Sequence, residues 1–144
     1  MEALFSILIP FIIMIESSGN PNPPPGKAND VGIVQITPIY LRECNRILGY
    51  DKYVLEDRKD HAKSIEMLKI HCGYWGKRSG LMNKGTTLDK LLVLGAIHHG
   101  GARGHLKNKD NAHIYSQRVI KDMDDYKRKI IKLYKKGQNN ASTK

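Results

Sequence analysis

The sequence predicts a mainly helical domain with a small β element. Two apolar segments, Leu4–Ile15 and Leu88–Ile97, have the composition of buried helices. A third, Ile114–Tyr134, is amphipathic, with apolar residues on one stripe and lysines and arginines on the other face. Between them, Val31–Ile36 is short and β-branched, which predicts a strand or the edge of a hairpin. The fold class is therefore α+β with a helical core.

The first predicted helix is short. Pro10 lacks an amide hydrogen and fits the first turn of a helix better than its middle, which predicts a helix from Pro10 to Ser17. Gly19 and the following Asn-Pro pair end it. Residues 20–29 are rich in proline, glycine and asparagine, so an irregular loop is expected there.

The remaining predicted helices follow from apolar spacing. Residues 38–48 form a helix with Ile39, Leu41, Cys44 and Leu48 as apolar positions and Gly49 as its stop. Further helices are expected over residues 58–74, 88–97 and 114–134, with a basic loop over residues 75–86. Gly95 marks a place where another element can approach closely.

The length of 144 residues predicts a single domain. We assign it residues 1–136, followed by a polar tail over residues 137–144 that is expected to be disordered. The apolar run Leu4–Ile15 is too short for a membrane span of about 20 residues. Glu2 stands where a signal peptide has a basic flank, and no small-residue cleavage site follows. We therefore expect the run to be a buried element of the mature domain.

The net charge indicates the class of partner, and the two cysteines indicate which metal and disulfide chemistry to expect. The net charge of +10 predicts association with a polyanion, and nucleic acid, anionic lipid and the bacterial wall with its acidic polymers all meet that requirement. Cys44 and Cys72 lack metal-ligand spacing. Two buried free thiols are favoured over one disulfide, because cysteine is among the most buried residue types.

Glu16 is the strongest candidate for chemistry. It closes the apolar run, and partial desolvation disfavours the charged form of a carboxyl group. A carboxyl that stays protonated can donate a proton to a leaving group. Asp30 lies fourteen positions later in a polar, glycine-bearing stretch, and two carboxyls in contrasting environments suit glycoside cleavage. The alternatives are a solvated glutamate at a helix end, and an Asn29-Asp30 turn that bonds its own backbone.

Several short motifs carry a family resemblance. Residues 16–21, E-S-S-G-N-P, and 32–36, G-I-V-Q-I, resemble the E-S-x-x-N-P and G-x-x-Q-I signatures of the lysozyme superfamily, which includes lytic transglycosylases. Residues 30–36, D-V-G-I-V-Q-I, are similar to the D-Y-G-I-L-Q-I of animal c-type lysozymes. Residues 35–44 and 97–104 resemble the Q-I-x-x-x-Y-x-x-D-C and I-H-N-G-G-P-x-G of invertebrate-type lysozymes, and Tyr115 and Val119 fit the Y-W-x-K-V that follows.

The chain departs from these relatives in three places. Invertebrate-type lysozymes are dense in disulfides, whereas this chain has two cysteines. Their H-N-G-G-P reads H-H-G-G-A at residues 98–102. Their second acid lies further ahead of the G-x-x-Q signature than Asp30 does, which bears on the role of Asp30 and leaves Glu16 unaffected.

The resemblance implies a lysozyme-like fold with the β element beside the active-site cleft. It implies a muramidase that cuts the β-1,4 bond between N-acetylmuramic acid and N-acetylglucosamine, with Glu16 as general acid. Asp30 would act as nucleophile, electrostatic stabiliser or water-orienting base. Lytic transglycosylases lack a carboxylate there and let the substrate's own 6-hydroxyl attack, giving 1,6-anhydro products. Asp30 therefore favours hydrolysis, with transglycosylation as the alternative.

The resemblance also implies substrate-binding residues. Ser17 would bond Glu16 or cap local backbone, and the Gln35 amide would face the sugar cleft, where it can both donate and accept. His98 would order the cleft wall, while Gly100 and Gly101 let backbone approach the substrate. Tyr115 would lie near the catalytic acid, or in the core at the start of the last helix.

No metal or cofactor is expected. The adjacent residues His98 and His99 cannot readily share a metal, and no H-x-x-x-H spacing appears. Trp75, the one tryptophan, is expected to cover the core rather than stack on a sugar.

The expected partner is peptidoglycan, with the protein acting at the bacterial wall as a monomer. A run of lysines and arginines near residues 127–136 would hold it on an anionic wall. A nucleic-acid-binding module is disfavoured, because aromatic interleaving and recognised motifs are lacking. A non-catalytic wall-binding protein on the same fold is a further alternative, against which the presence of Glu16 argues.

Overall fold

The computed structural model describes residues 1–142 and is mainly helical, which confirms that part of the predicted fold class. The chain divides into two compact units, one over Met1–Tyr74 and the other from Trp75 onward. Five α-helices occur in the described residues: α1 (Glu2–Ser17), α2 (Pro38–Leu48), α3 (His61–Ser79), α4 (Thr87–Gly100) and α5 (Gln117–Ser142). Three short 3-10 turns cover Leu55–Lys59, Gly104–Leu106 and Lys109–Asn111.

Helix α1 begins eight residues earlier than predicted, at Glu2, and Pro10 lies inside it. Proline in a helix interior removes one hydrogen bond and costs about 3 kcal/mol. Burial of the helix flank outweighs that cost, since Leu8 and Ile12 are fully buried and Phe5 is 3 % exposed. Pro10 itself is exposed, so its ring faces away from this flank.

No strand is present in residues 1–142, and the predicted β element is not confirmed. Val31–Ile36 instead closes a tight turn through one antiparallel bridge between its two end residues. The amide of each end residue donates to the carbonyl of the other, over 3.0 and 2.9 Å. Gly32 at φ 90° and Gln35 at φ 54° bend the chain between them. The β-branched residues are buried, but in a turn that is too short to extend into a ladder.

Helix α2 has the predicted bounds. The Thr37 side chain accepts from the Tyr40 amide at its start, and Gly49 ends it in the left-handed conformation. Leu41 and Cys44 are buried as expected. The prediction for Ile39 is wrong, because this side chain is 73 % exposed.

Helix α3 begins later and ends later than predicted. Arg58 belongs to the preceding 3-10 turn, and residues 75–79, predicted as a loop, continue the helix. Leu68 and Cys72 are fully buried, in line with their predicted positions. Ala62 is exposed, because it lies in the first turn of the helix.

Helices α4 and α5 form the core of the second unit. A capping box of Thr86 and Asp89 starts α4. A β-carbon at Gly95 would collide with Ile130 of α5, which confirms the predicted close approach. Met123, Tyr126 and Ile130 form the buried stripe of α5. This helix continues to Ser142, so residues 137–142 of the predicted disordered tail are helical, and residues 143–144 lie outside the described chain.

Candidate functional site

Glu16 lies in the last turn of α1, as predicted, and its side chain is half-buried. The helix ends because Ser18 adopts the left-handed conformation at φ 53°, where its amide donates to the Met14 carbonyl over 3.0 Å. Ser17 is 8 % exposed, and its Oγ donates to the Ile13 carbonyl over 2.8 Å. This bond assigns the hydroxyl to the helix backbone, one of the two roles considered from the sequence.

The Asp30 carboxylate folds back over its own loop. Its Oδ1 accepts from the Ala28 amide over 3.3 Å, and the Gly26 amide donates to the Asp30 carbonyl over 2.9 Å. Asn29 between them adopts φ 56°, a conformation that asparagine tolerates. A β-carbon at Gly26 would collide with this carboxylate. The Asn-Asp turn considered from the sequence is therefore present.

Gln35 closes the next turn of the chain. Its backbone amide and its Nε2 both donate to the Gly32 carbonyl, over 3.0 and 2.8 Å. The residue is half-buried at φ 54°, a strained conformation for a side chain of this length. One amide hydrogen of the side chain is therefore used inside the turn, and the position of the amide is set by backbone geometry.

Arg58 anchors both turns, and the sequence reasoning missed it. The residue is 6 % exposed, and Nη1 donates to the carbonyls of Asn29 over 2.6 Å and Ile36 over 3.1 Å. Its Nε donates to Leu55 over 3.0 Å. The planar guanidinium can bridge separate backbone segments in this way, whereas an ammonium group is a point donor. Asp30 and Gln35 thus lie on a loop held by one buried cation.

Two further contacts hold this part of the chain, one on the loop and one before it. A β-carbon at Gly32 would collide with the Arg58 carbonyl, so only glycine allows this approach. Earlier in the chain, the His61 Nε2 lies 2.9 Å from the Pro21 carbonyl. The segment that follows Glu16 is therefore tied to the start of α3.

The remaining predicted site residues belong to the second unit. His98 is 6 % exposed near the end of α4, while the adjacent His99 bonds Asp122 through Nε2 over 2.7 Å and stacks on Tyr126.

The glycines after His99 act in different ways. The Gly100 carbonyl accepts from Lys107 Nζ over 2.9 Å, and its α-carbon faces Met123. Gly101 caps α4 at φ 85°, with open space where a β-carbon would project. Tyr115 is half-buried, and Lys107 Nζ lies 5.9 Å from its ring centroid.

The predicted residues thus form two sets. Glu16, Ser17, Asp30 and Gln35 lie in the unit over Met1–Tyr74, where the last two share one anchored loop. The other set, which lies in the unit from Trp75 onward, contains His98, Gly100, Gly101 and Tyr115.

The two cysteines are free and buried, which confirms the preferred sequence interpretation. Burial raises the pKa of each thiol to about 12, with the charge of Glu43 adding to the effect at Cys44. Such thiols are inert as nucleophiles. In residues 1–142, no three histidine, cysteine or acidic side chains are grouped so that they could hold a metal ion. The same residues contain no helix with the length and apolar character of a membrane span.

Comparison of the chain with protein-family models, with curated proteins and with solved structures gave no match.

Proposed function

We propose that the protein is a muramidase that cleaves the β-1,4 bond between N-acetylmuramic acid and N-acetylglucosamine, with Glu16 as general acid. The observation that carries the proposal is the position of Glu16, half-buried in the last turn of a helix whose flank is in the core. A carboxyl on the last turn of a packed helix is held at a fixed position, which general acid catalysis requires. A protonated carboxyl there would donate its proton to the glycosidic oxygen.

The loop over residues 26–36 supports the proposal as a rigid wall for a sugar site. Arg58 holds it at two carbonyls, and Gly32 packs directly against the Arg58 backbone. General acid catalysis requires that the substrate be held within hydrogen-bond reach of the acid, and a rigid loop keeps such geometry. Gln35 would contribute its amide oxygen and second amide hydrogen to sugar hydroxyl or N-acetyl groups.

The residues of the second unit keep their proposed roles in binding. His98 would order backbone, Gly100 and Gly101 would let backbone approach the substrate, and Tyr115 would contact it. A lysozyme-like fold, a monomeric state and action at the bacterial wall belong to the same proposal. The proposed fold and the site of action are supported by the order and spacing of the sequence motifs from Glu16 to Val119.

Lytic transglycosylation is a second candidate. The presence of a carboxylate at Asp30 favours hydrolysis, whereas the contacts of that carboxylate favour transglycosylation. The carboxylate of this residue is bound to the Ala28 amide and packed against Gly26. A carboxylate that accepts a hydrogen bond from its own turn is less able to act as nucleophile or water-orienting base than a carboxylate that faces an open cleft. In a transglycosylase the substrate's own 6-hydroxyl would attack, and Asp30 would serve the loop alone.

Mass spectrometry of a peptidoglycan digest separates the two reactions. Hydrolysis gives reducing-end muropeptides, whereas transglycosylation gives products that each weigh one water less. If Asp30 acts in hydrolysis, Asp30→Asn should lower turnover by about 10²-fold or more. Asp51→Asn is the matched control, since Asp51 is an exposed acid of the same unit. Anhydro products together with a mild Asp30→Asn effect would replace hydrolysis by transglycosylation and leave Glu16 as the acid.

A further inference from the structure

The net positive charge of the protein comes from its second unit. Residues 75–144 contain 16 lysines and arginines against 5 acidic residues, a net charge of +11. Residues 1–74 contain 8 basic and 9 acidic residues, a net charge of −1. The unit that holds Glu16 is therefore close to neutral, and electrostatic attraction of a polyanion falls to the unit from Trp75 onward.

Within that unit, the charge is concentrated in the second half of α5, ahead of the uncharged residues 137–142. Asp125 is the last acidic residue of the chain, and it pairs with Lys121 and Arg128 over 2.9 and 2.8 Å. Beyond it, four exposed lysines take part in no ion pair among the described residues, and we call them the lysine strip: Lys129, Lys132, Lys135 and Lys136.

The lysine strip has a regular geometry. At 100° per residue, Lys129, Lys132 and Lys136 fall within an arc of about 60° on one side of the helix. At 1.5 Å per residue they extend along about 10 Å of its axis. Charges in a row at this spacing can each meet a successive phosphate of an extended chain, without a folded pocket.

The apolar and aromatic side chains of α5 limit which kinds of polyanion can bind to the lysine strip. Its apolar stripe of Met123, Tyr126 and Ile130 is buried, so no apolar face remains to enter a lipid bilayer. Tyr134, the one aromatic residue within the span of the strip, is half-buried and lies about 140° or more around the helix from Lys129, Lys132 and Lys136. These three lysines therefore have no aromatic platform beside them on which bases could stack. The surface suits a polymer that presents phosphate charge alone.

From this geometry we infer that the lysine strip binds a flexible, linear phosphodiester polymer without bases, of the poly(polyol phosphate) class. Binding is by counterion release at successive phosphates and does not depend on Glu16. The second unit would then hold the protein on such a polymer while the first unit carries the proposed chemistry. Polymer binding is measured without cleavage, so its result does not depend on the proposed muramidase activity.

The test measures binding of the full chain to fluorescein-labelled poly(glycerol phosphate) between 50 and 200 mM salt. For a single-stranded polyanion, four neutralised phosphates predict a fall in affinity of about 50-fold over this range. The variant Lys129→Gln, Lys132→Gln, Lys136→Gln leaves one strip lysine and should show a fall of about 3-fold. Glutamine has a helix propensity close to that of lysine, so α5 should be preserved.

The matched control is Lys27→Gln, Lys77→Gln, Lys109→Gln. These three exposed lysines lie outside the strip and in no ion pair of the described residues, and their loss changes the net charge by the same amount. We expect the control to keep the salt dependence of the wild type. Equal losses in both variants would show that net charge alone acts and would overturn the proposal.

Two competing ligands complete the test. Single-stranded DNA of matched charge should bind no tighter than the polymer, and phosphatidylglycerol vesicles should not be preferred. DNA binding tighter by more than about tenfold would indicate base stacking and would overturn the proposal. A preference for vesicles would overturn it in favour of a membrane surface.

Discussion

Replacing Arg58 by methionine removes the group that holds the candidate site loop. The buried guanidinium donates to the carbonyls of Asn29, Ile36 and Leu55, over 2.6, 3.1 and 3.0 Å. Hydrogen bonds from a charged group contribute about 1.5–3 kcal/mol each, and some of this returns when the carbonyls rehydrate. We expect the free energy of unfolding to fall by about 3–5 kcal/mol, as in other buried charged networks that lose one partner.

Thermal unfolding followed by circular dichroism measures this loss. For a chain of this length, a loss of that size lowers the melting temperature by about 10–15 °C. Arg58→Lys should recover only part of it, because one ammonium nitrogen cannot occupy both the Nη1 position that serves the two loop carbonyls and the Nε position that serves Leu55. Arg42→Met is the control, since Arg42 is exposed, and a surface change of this kind alters stability by about 0.5 kcal/mol or less.

Limited trypsin digestion provides a local readout of the same change. Lys27 is an exposed basic residue inside the loop that Arg58 holds. In Arg58→Met the loop should open more often, so cleavage after Lys27 should become faster than in the wild type and in Arg42→Met. A melting temperature within about 2 °C of the wild type, with unchanged cleavage at this position, would refute the anchoring role of Arg58.

Two further predictions concern buried groups. Burial lowers the pKa of His71 from 6.5 to about 4, and the charge of Glu43 opposes this shift more weakly. Between pH 6.5 and pH 4, His71 is therefore protonated in the unfolded chain and neutral in the folded chain. The free energy of unfolding, measured by urea denaturation, should therefore fall by about 3 kcal/mol as the pH drops from 6.5 to 4. His71→Phe keeps a ring against Tyr40 and should remove most of this pH dependence. The same pH dependence in wild type and His71→Phe would contradict the lowered pKa of His71. The thiols of Cys44 and Cys72 should resist Ellman's reagent in the native protein at pH 8 and react fully in guanidinium, whereas rapid native reaction would show that they are not buried.

Local signals predict much of the fold. Pro38 at a helix start and Gly49 after its last apolar residue define α2 on both sides, and the structure has the same bounds. The rule that disfavours proline inside a helix misplaces the start of α1. That rule counts one lost hydrogen bond, whereas the burial of Phe5, Leu8 and Ile12 depends on tertiary packing.

The candidate site likewise contains features that the sequence predicts and one that it does not. The position of Glu16 at the end of α1 follows from the apolar run and the glycine after it, and the Asn-Asp turn at Asp30 was one of two stated alternatives. Arg58 could not be found, because its loop acceptors are backbone carbonyls 22 and 29 positions away in the sequence, and any residue type supplies those. A hydrogen bond to a backbone carbonyl therefore cannot be predicted from the pattern of side chains in the sequence.

The central claim is that Glu16 donates the proton in peptidoglycan cleavage. Purified sacculi are digested with wild-type protein, with Glu16→Gln and with Glu2→Gln, which changes an exposed acid in a surface ion pair at the opposite end of α1. The account predicts soluble muropeptides in the mass spectra of wild type and Glu2→Gln, and a yield about 10²–10⁴-fold lower for a folded Glu16→Gln protein. Muropeptide release by Glu16→Gln at the wild-type rate, or no release by the wild type, would contradict it.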